Sequence, residues 1–368
     1  MRIYLLLMAI AAAVTYLATP LARVLARRTH AVTPVRARDV HTTPVPRLGG
    51  VAMLAGMAAT LVIASRMPFL EPVFSGADES LPWSILGAAT LVCVLGVADD
   101  IWDLDWLTKM VGQILAAGFM AWQGVQLVQF PVFGLTIGSS RLSLVVTILV
   151  VVTAINAVNF VDGLDGLAAG VIAIGGTAFF AYTYILTTQT QTEYSNIATV
   201  VMACVVGACL GFLPHNFHPA RIFMGDSGAM FLGLTMAAAS ILVTGQINPG
   251  TVEVSIGVPA ILLILLPLAV LVLPLLDMGL AVVRRVLAGK SPFHPDRMHL
   301  HHRLLDFGHS HRRAVLIMYV WTAVIAFGAV SFAVLPVTAA VVVCAAGVAV
   351  AVLATLWLPR KRIGALTR

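Results

Sequence analysis

Charged residues are scarce in this sequence. Asp, Glu, Lys and Arg make up 10% of its 368 residues, where a soluble domain carries about a quarter. With 60% hydrophobic residues, that scarcity excludes an ordinary soluble enzyme and points to the membrane. Cysteine is scarce too. Cys93, Cys204, Cys209 and Cys344 each fall inside an apolar run, with neither C-x-x-C spacing nor evident pairing, so they read as small core residues and say little about redox compartment. The first apolar run is long and lacks an A-x-A-like cleavage site, so it is expected to be a span and not a removable signal. A basic-aromatic nucleic-acid module is also missing, so the net charge of +6 is no case for nucleic acid.

What is abundant is apolar sequence in lengths of about 17 to 25 residues. Such runs cover 3–27, 48–67, 82–98, 107–123, 142–160, 164–187, 196–214, 227–245, 254–287, 314–333 and 336–358. The expected fold is therefore an all-α, polytopic membrane bundle of eleven helices, one domain over 1–368. Only Pro336 separates the last two runs, so ten is the alternative count. With the N-terminus outside, the loops 28–47, 99–106, 161–163, 215–226 and 288–313 and the tail face the cytoplasm. All of the 22 Lys and Arg residues except Arg2, Arg66 and Arg141 then lie at that face, as do all ten histidines. This is a strong positive-inside bias.

The same topology sorts the acids. "GVADDIWDLDWLTK" brings Asp99, Asp100, Asp103 and Asp105 to the inner end of the third run, and "NFVDGLDG" brings Asp162 and Asp165 to the junction of the fifth and sixth. "FMGDSG" sets Asp226 at the inner start of the eighth, and Asp277 lies near the inner end of the ninth. A cap or a solvated loop explains any one of them. Four converging segments are another matter, because acids at membrane depth cost about 2.5–3.5 kcal/mol each and repel one another without a cation between them.

"NAVNFVDGLDGLAAG" (156–170) spaces Asn156, Asn159, Asp162 and Asp165 at three-residue intervals, one polar stripe on a helix face. Gly163, Gly166 and Gly170 clear bulk beside it. Amide and carboxylate oxygens are hard donors, suited to Mg²⁺ or Mn²⁺. Mg²⁺ completes its shell with phosphate and water, which implies a phosphate-bearing substrate. The last large loop supplies cations for it: Arg297, His299, His301, His302 and Arg303 in "SPFHPDRMHLHHRL". A basic surface touching lipid heads is the plain alternative; a diphosphate clamp is favoured by the density of Arg and His.

Taken in order, "DDIWD", "NAVNFVDGLDGLAAG", "NFHPARIFMGDSG" and "HPDRMHLHHRL" resemble the polyprenyl-phosphate N-acetylhexosamine-1-phosphate transferases over nearly the whole chain. "HLHHR", where the muramoyl-pentapeptide branch tends to carry three consecutive histidines, and "TTPVPRLGG" (42–50) resemble the GlcNAc-1-phosphate branch. The resemblance implies transfer from UDP-GlcNAc to a polyprenyl phosphate in a bacterial plasma membrane, with release of UMP; a homodimer is compatible with it. It implies Asp226 as direct Mg²⁺ ligand with Asn159 beside it, and Asp99 and Asp100 facing lipid phosphate and metal. Asp162, Asp165, Asn216 and Phe223 match positions lining the nucleoside and diphosphate pocket. Asn156 and Arg47 join the substrate-binding set, and His301, His302 and Arg303 match the loop touching diphosphate and sugar. Lys109 sits one run after the aspartate pair.

Two rivals come from other classes. An intramembrane prenyltransferase would explain "DDIWD" but not the His/Arg loop or "FMGDSG". A coupled transporter would bind near the midplane between repeats, whereas these acids gather at one face. The ninth run carries Pro259, Pro267 and Pro274 and exceeds the length a bilayer needs, so a bend leaving an apolar groove for a prenyl chain is expected beside the site. "VQLVQFPVFGLTIGS" reads as a short outer hairpin.

Overall fold

The computed structural model describes residues 1–33, 44–75, 78–128, 139–190, 192–247, 262–289 and 300–357. In chain order the helices are α1 (Arg2–Arg28), α2 (Gly49–Ala64), α3 (Glu71–Phe74), α4 (Ser80–Trp102), α5 (Trp106–Trp122), α6 (Ser140–Val161) and α7 (Leu167–Thr190). They continue with α8 (Glu193–Asn216), α9 (Gly225–Gln246), α10 (Leu262–Leu287), α11 (Leu300–Asp306), α12 (His311–Val334) and α13 (Val337–Leu356). A helix occupies each of the eleven apolar runs, as expected where lipid cannot satisfy backbone N–H and C=O groups.

By length and apolarity, nine of the helices among the described residues can cross a membrane. The number is ten if α2 and the segment Pro68–Phe74, bent by 94° from it, form one span. Helix α5, at 17 residues, is short for a span that needs about 20. The outer hairpin lies mostly outside the described residues, as do Pro259, Arg297 and His299.

Helix α9 is the axis of the bundle, packed against α2, α4, α6 and α8, while α13 sits at the periphery. Its sequence explains the position. At its N-terminal end a Cβ on Gly50 of α2 would lie 2.2 Å from the Gly228 backbone nitrogen, and one on Gly96 of α4 would lie 2.3 Å from that of Ser227. Backbones approach this closely only where side chains are missing. Two helices thus converge on the segment that carries Asp226.

Helix α10 runs through Pro267 and Pro274 without interruption. Pro267 cannot donate to the carbonyl of Leu263 one turn back. Thr244 of α9 takes that donor's place, its hydroxyl 2.6 Å from the Leu263 oxygen. The vacated carbonyl becomes a tie between two spans. Beside it an apolar cavity of about 420 Å³ separates α6, α9 and α10, lined among others by Leu149, Thr153, Ile241, Pro267 and Leu271.

One feature lies outside the all-helical expectation. Val32–Thr33 and Val45–Pro46 pair as a two-residue antiparallel ribbon, with Val32 opposite Pro46 and Thr33 opposite Val45. Pro46 accepts from the Phe223 amide at 2.8 Å, while the Gly49 and Gly50 amides donate to the carbonyls of Phe223 and Met224, both at 3.0 Å. The ribbon's return strand and the "FMGD" segment are laced together, and Arg47 is brought to the acidic cluster.

Candidate active site

The site forms where the C-terminal ends of α4 and α6 meet the N-terminal end of α9. A helix N-terminus leaves amides unsatisfied and favours negative charge. Here another helix supplies the carboxylate: Asp100 accepts from the backbone amides of Asp226 at 3.1 Å and Ser227 at 3.3 Å, one on each oxygen. Gly225 makes this possible. Its φ is +70°, and a Cβ there would stand 2.3 Å from Asp100 Oδ2. Gly225→Ala combines left-handed strain of about 1–2 kcal/mol with a collision against a buried carboxylate that cannot yield without uncapping α9. The expected result is a lower melting temperature together with loss of nearly all activity; a variant with ordinary melting and turnover would mean that Asp100 need not hold this position.

Asp99 faces the other way. Its Oδ1 accepts from the Leu104 amide at 2.9 Å, and its Oδ2 receives the Lys109 ammonium at 3.1 Å. The same ammonium reaches Asp226 Oδ2 at 3.3 Å. Lys109, from the first turn of α5, therefore bridges acids from two other helices. The Asn159 amide also lies against the Asp226 carboxylate. Asp162, which ends α6, sits just behind. Its burial, and then the charges of Asp226 and Asp100, push its carboxyl up to about 7, with Arg47 opposing the shift. Arg47 acts on Asp100 as well, and is itself steadied by donating to the Thr33 hydroxyl at 2.6 Å. One lysine and one arginine thus face four carboxylates, a cluster short of positive charge.

The remaining sequence-predicted residues fall into three places. Asn156 lies one turn deeper, its amide donating to Gln113 Oε1 and to the Val152 carbonyl, both at 2.8 Å. Asn216 is buried, accepting from the Gly166 amide at 3.1 Å and donating to the Ile222 carbonyl at 3.0 Å. It fastens the "GLDG" turn to the loop after α8, and Phe223 stands half-buried at the end of that loop. Asp165 accepts from the His218 ring at 2.7 Å and the Ala220 amide at 3.1 Å. Of the last loop, His301 is buried and packs on the "VDG" turn, so that a Cβ on Gly163 would lie 2.4 Å from its Nε2. His302 stacks at a tilt beside it, the ring centres 4.4 Å apart, and Arg303 is exposed.

Three other acids have local duties. Asp277 accepts from the Leu300 amide at 2.9 Å and so holds α11, with its histidines, onto α10. Asp103 ends α4 in a left-handed conformation at φ +53°. Asp105 caps α5 by accepting from Thr108, contacts that lower its carboxyl below the usual range.

Sequence reasoning did not assign Lys109 its bridging position, nor Gln113, His218 and His311 any part. The sequence does carry a signal for Lys109. It is the one cation in a run whose other end is anchored by Trp122, and an intramembrane cation calls for an acidic partner.

Hard oxygen donors, a bridging ammonium and a pair of imidazoles at one end of an apolar bundle can hold and polarise a phosphorylated group beside lipid. Comparison with known proteins agrees with this chemistry. Residues 82–244 match the family described as Glycosyl transferase family 4. The decaprenyl-phosphate N-acetylglucosaminephosphotransferase of Mycobacterium leprae is 42% identical over 329 residues, covering 87% of this chain and 81% of its own. A Bacillus subtilis protein named probable undecaprenyl-phosphate N-acetylglucosaminyl 1-phosphate transferase is 32% identical, over 82% of this chain and 77% of its own. A phospho-N-acetylmuramoyl-pentapeptide-transferase of Desulforudis audaxviator is 30% identical, over 77% and 83%. With an acidic site at the end of a helical bundle and relatives that match along most of its length, this chain belongs to glycosyl transferase family 4, among the polyprenyl-phosphate N-acetylhexosamine-1-phosphate transferases.

Proposed function

We propose that the protein transfers N-acetylglucosamine-1-phosphate from UDP-GlcNAc to a polyprenyl phosphate at the cytoplasmic face of a bacterial plasma membrane, giving polyprenyl-diphospho-GlcNAc and UMP. The observation that carries this reading is the meeting of Asp99, Asp100, Asp162 and Asp226 around Lys109 and Arg47 at the end of an apolar bundle. It is a place where two anionic substrates, one of them a lipid, can be brought together.

The donor set fits Mg²⁺, with Mn²⁺ as substitute: all oxygen, from Asp226 and Asn159, with Asp99 and Asp100 alongside. Four carboxylates facing one lysine and one arginine fit a site that receives further positive charge. When bound, Mg²⁺ supplies charge neutralisation on the diphosphate. The chain's own groups do the rest. Lys109 and Arg47 offset the charge of the acceptor phosphate as it approaches Asp99 and Asp100. His301 and His302, fixed on the "VDG" turn, donate to the donor diphosphate, and Arg303 reaches outward for the sugar end. Phe223 offers a ring face to the uracil. The apolar cavity between α6, α9 and α10 receives part of the isoprene chain, which enters it from lipid and is held by packing and shape.

The test is release of labelled UMP from UDP-GlcNAc by purified protein with a polyprenyl phosphate. Release is expected to require both lipid and divalent cation, and to be competed by UDP-GlcNAc far better than by UDP-GalNAc or the UDP-muramoyl-pentapeptide. Turnover of the pentapeptide donor in preference to UDP-GlcNAc would replace this assignment with the muramoyl branch.

A further inference from the structure

Beside the oxygen-rich cluster lies a second group of ligands with different chemistry. Asp165, His218 and His311 come from the α6–α7 turn, the loop after α8 and the first residue of α12. One ligand atom from each lies within 4.8 Å of the others. The His218 and His311 rings stack, their centres 4.3 Å apart and their planes 23° from parallel. Both ring nitrogens of His311 are shielded from solvent and make no hydrogen bond of ordinary geometry. Shielded polar atoms normally have a partner; besides the Asp165 backbone, what stands within reach of this ring is two metal-ligating groups. Arg312 donates to the His218 carbonyl at 3.1 Å, which holds the start of α12 against the loop.

We propose that Asp165, His218 and His311 form a second divalent-cation site, selective for a borderline transition ion such as Zn²⁺ over Mg²⁺. Two imidazoles and a carboxylate are the donor set of Zn²⁺ sites, whereas Mg²⁺ takes oxygen alone. A tetrahedral ion with bonds of about 2.1 Å sets its ligands about 3.4 Å apart. The three atoms stand within 4.8 Å of one another, and because metal ligands must be deprotonated, the ion takes the place of the proton between the His218 ring and Asp165. A water completes the fourth position. The site shares no residue with the cluster of Asp99, Asp100 and Asp226, but it takes Asp165, which the family resemblance sets at the nucleoside and diphosphate pocket, so the ion would sit at the edge of that pocket. Its consequence is mechanical: an ion there pins the "GLDG" turn, the loop leading to Phe223, and the helix that follows the His301 segment.

The experiment uses the untagged full-length protein in detergent, stripped with a chelator, given equimolar Zn²⁺ in excess Mg²⁺ and desalted, with bound zinc measured by elemental analysis. The wild type is expected to retain one zinc. His218→Asn and His311→Gln should each weaken retention by about 100-fold or more, while His302→Gln and Asp226→Asn retain it. Zinc should raise the melting temperature of the wild type and of neither site variant. Co²⁺ substitution of the wild type alone decides the matter even where a variant folds poorly: intense four-coordinate visible bands support the site. A pale spectrum like that of the hydrated ion overturns it. So does zinc that is lost with Asp226→Asn but kept by both histidine variants, or no retained zinc at all.

Discussion

Asp226→Asn lowers UMP release by about 100- to 1,000-fold, the range seen when a preorganised electrostatic partner of the transition state is removed, and leaves the protein folded. The fold survives because the Asp226 link to Asp100 runs through the backbone amide, which Asn keeps. Lys109 loses one carboxylate but keeps Asp99 at 3.1 Å, and the crowding of acids at the end of α9 is relieved. Activity does not survive, because Asp226 is contacted at once by Lys109 and Asn159 and is the proposed first ligand of Mg²⁺. Paired measurements separate the two effects: melting temperature in detergent should stay close to wild type while kcat falls. Raising Mg²⁺ should recover little of the loss. Recovery to near-normal turnover at high Mg²⁺ would shift the metal's main ligands to Asp99 and Asp100.

The placement of Asp226 was legible in the sequence, and so was that of Asp99, Asp100 and Asp162, for one physical reason. Each lies at the end of an apolar run long enough to be a helix, and alternation of spans brings those ends to a common face. What periodicity does not encode is which helix end touches which. Asp100 caps α9 across 126 positions of sequence, and Lys109 reaches Asp226 across 117. These contacts depend on Gly50, Gly96 and Gly225 letting backbones meet. The three-residue stripe shows the same limit. Asn159 and Asp162 reach the acidic cluster, Asn156 ties α5 to α6, and Asp165 turns to His218, because the helix ends at Val161 and the stripe's periodicity ends with it. The ribbon of Val32–Thr33 with Val45–Pro46 was likewise hidden, since two-residue strands carry too little alternation to read.

Without lipid phosphate, the enzyme is expected not to move labelled UMP into UDP-GlcNAc, and adding polyprenyl phosphate should start that exchange. The expectation separates two orders of events. In one, an aspartate attacks the donor, releases UMP and holds the phosphoryl-sugar until the lipid collects it. In the other, the lipid phosphate attacks directly with both substrates bound. Only the first permits exchange without lipid. The structure bears on the choice through the lone pairs of the two aspartates. Asp100 has one oxygen on the Asp226 amide and the other on the Ser227 amide, so attack would cost α9 its cap. Asp99 has one oxygen on the Leu104 amide and the other on Lys109. Carboxylates so engaged are weakened nucleophiles, because each hydrogen bond favours the charged form that attack would consume. The acceptor needs no such help. The second pKa of a phosphate monoester is about 6, so at neutral pH it is largely dianionic already. Its difficulty is approaching a diphosphate of like charge, which Lys109, Arg47, His301 and His302 are placed to relieve by position and charge. Asp99 and Asp100 then serve by holding α9 and Lys109 in register. Exchange in rigorously lipid-free enzyme at a rate near turnover would reverse this order and make one of the two aspartates the nucleophile, its hydrogen bonds notwithstanding.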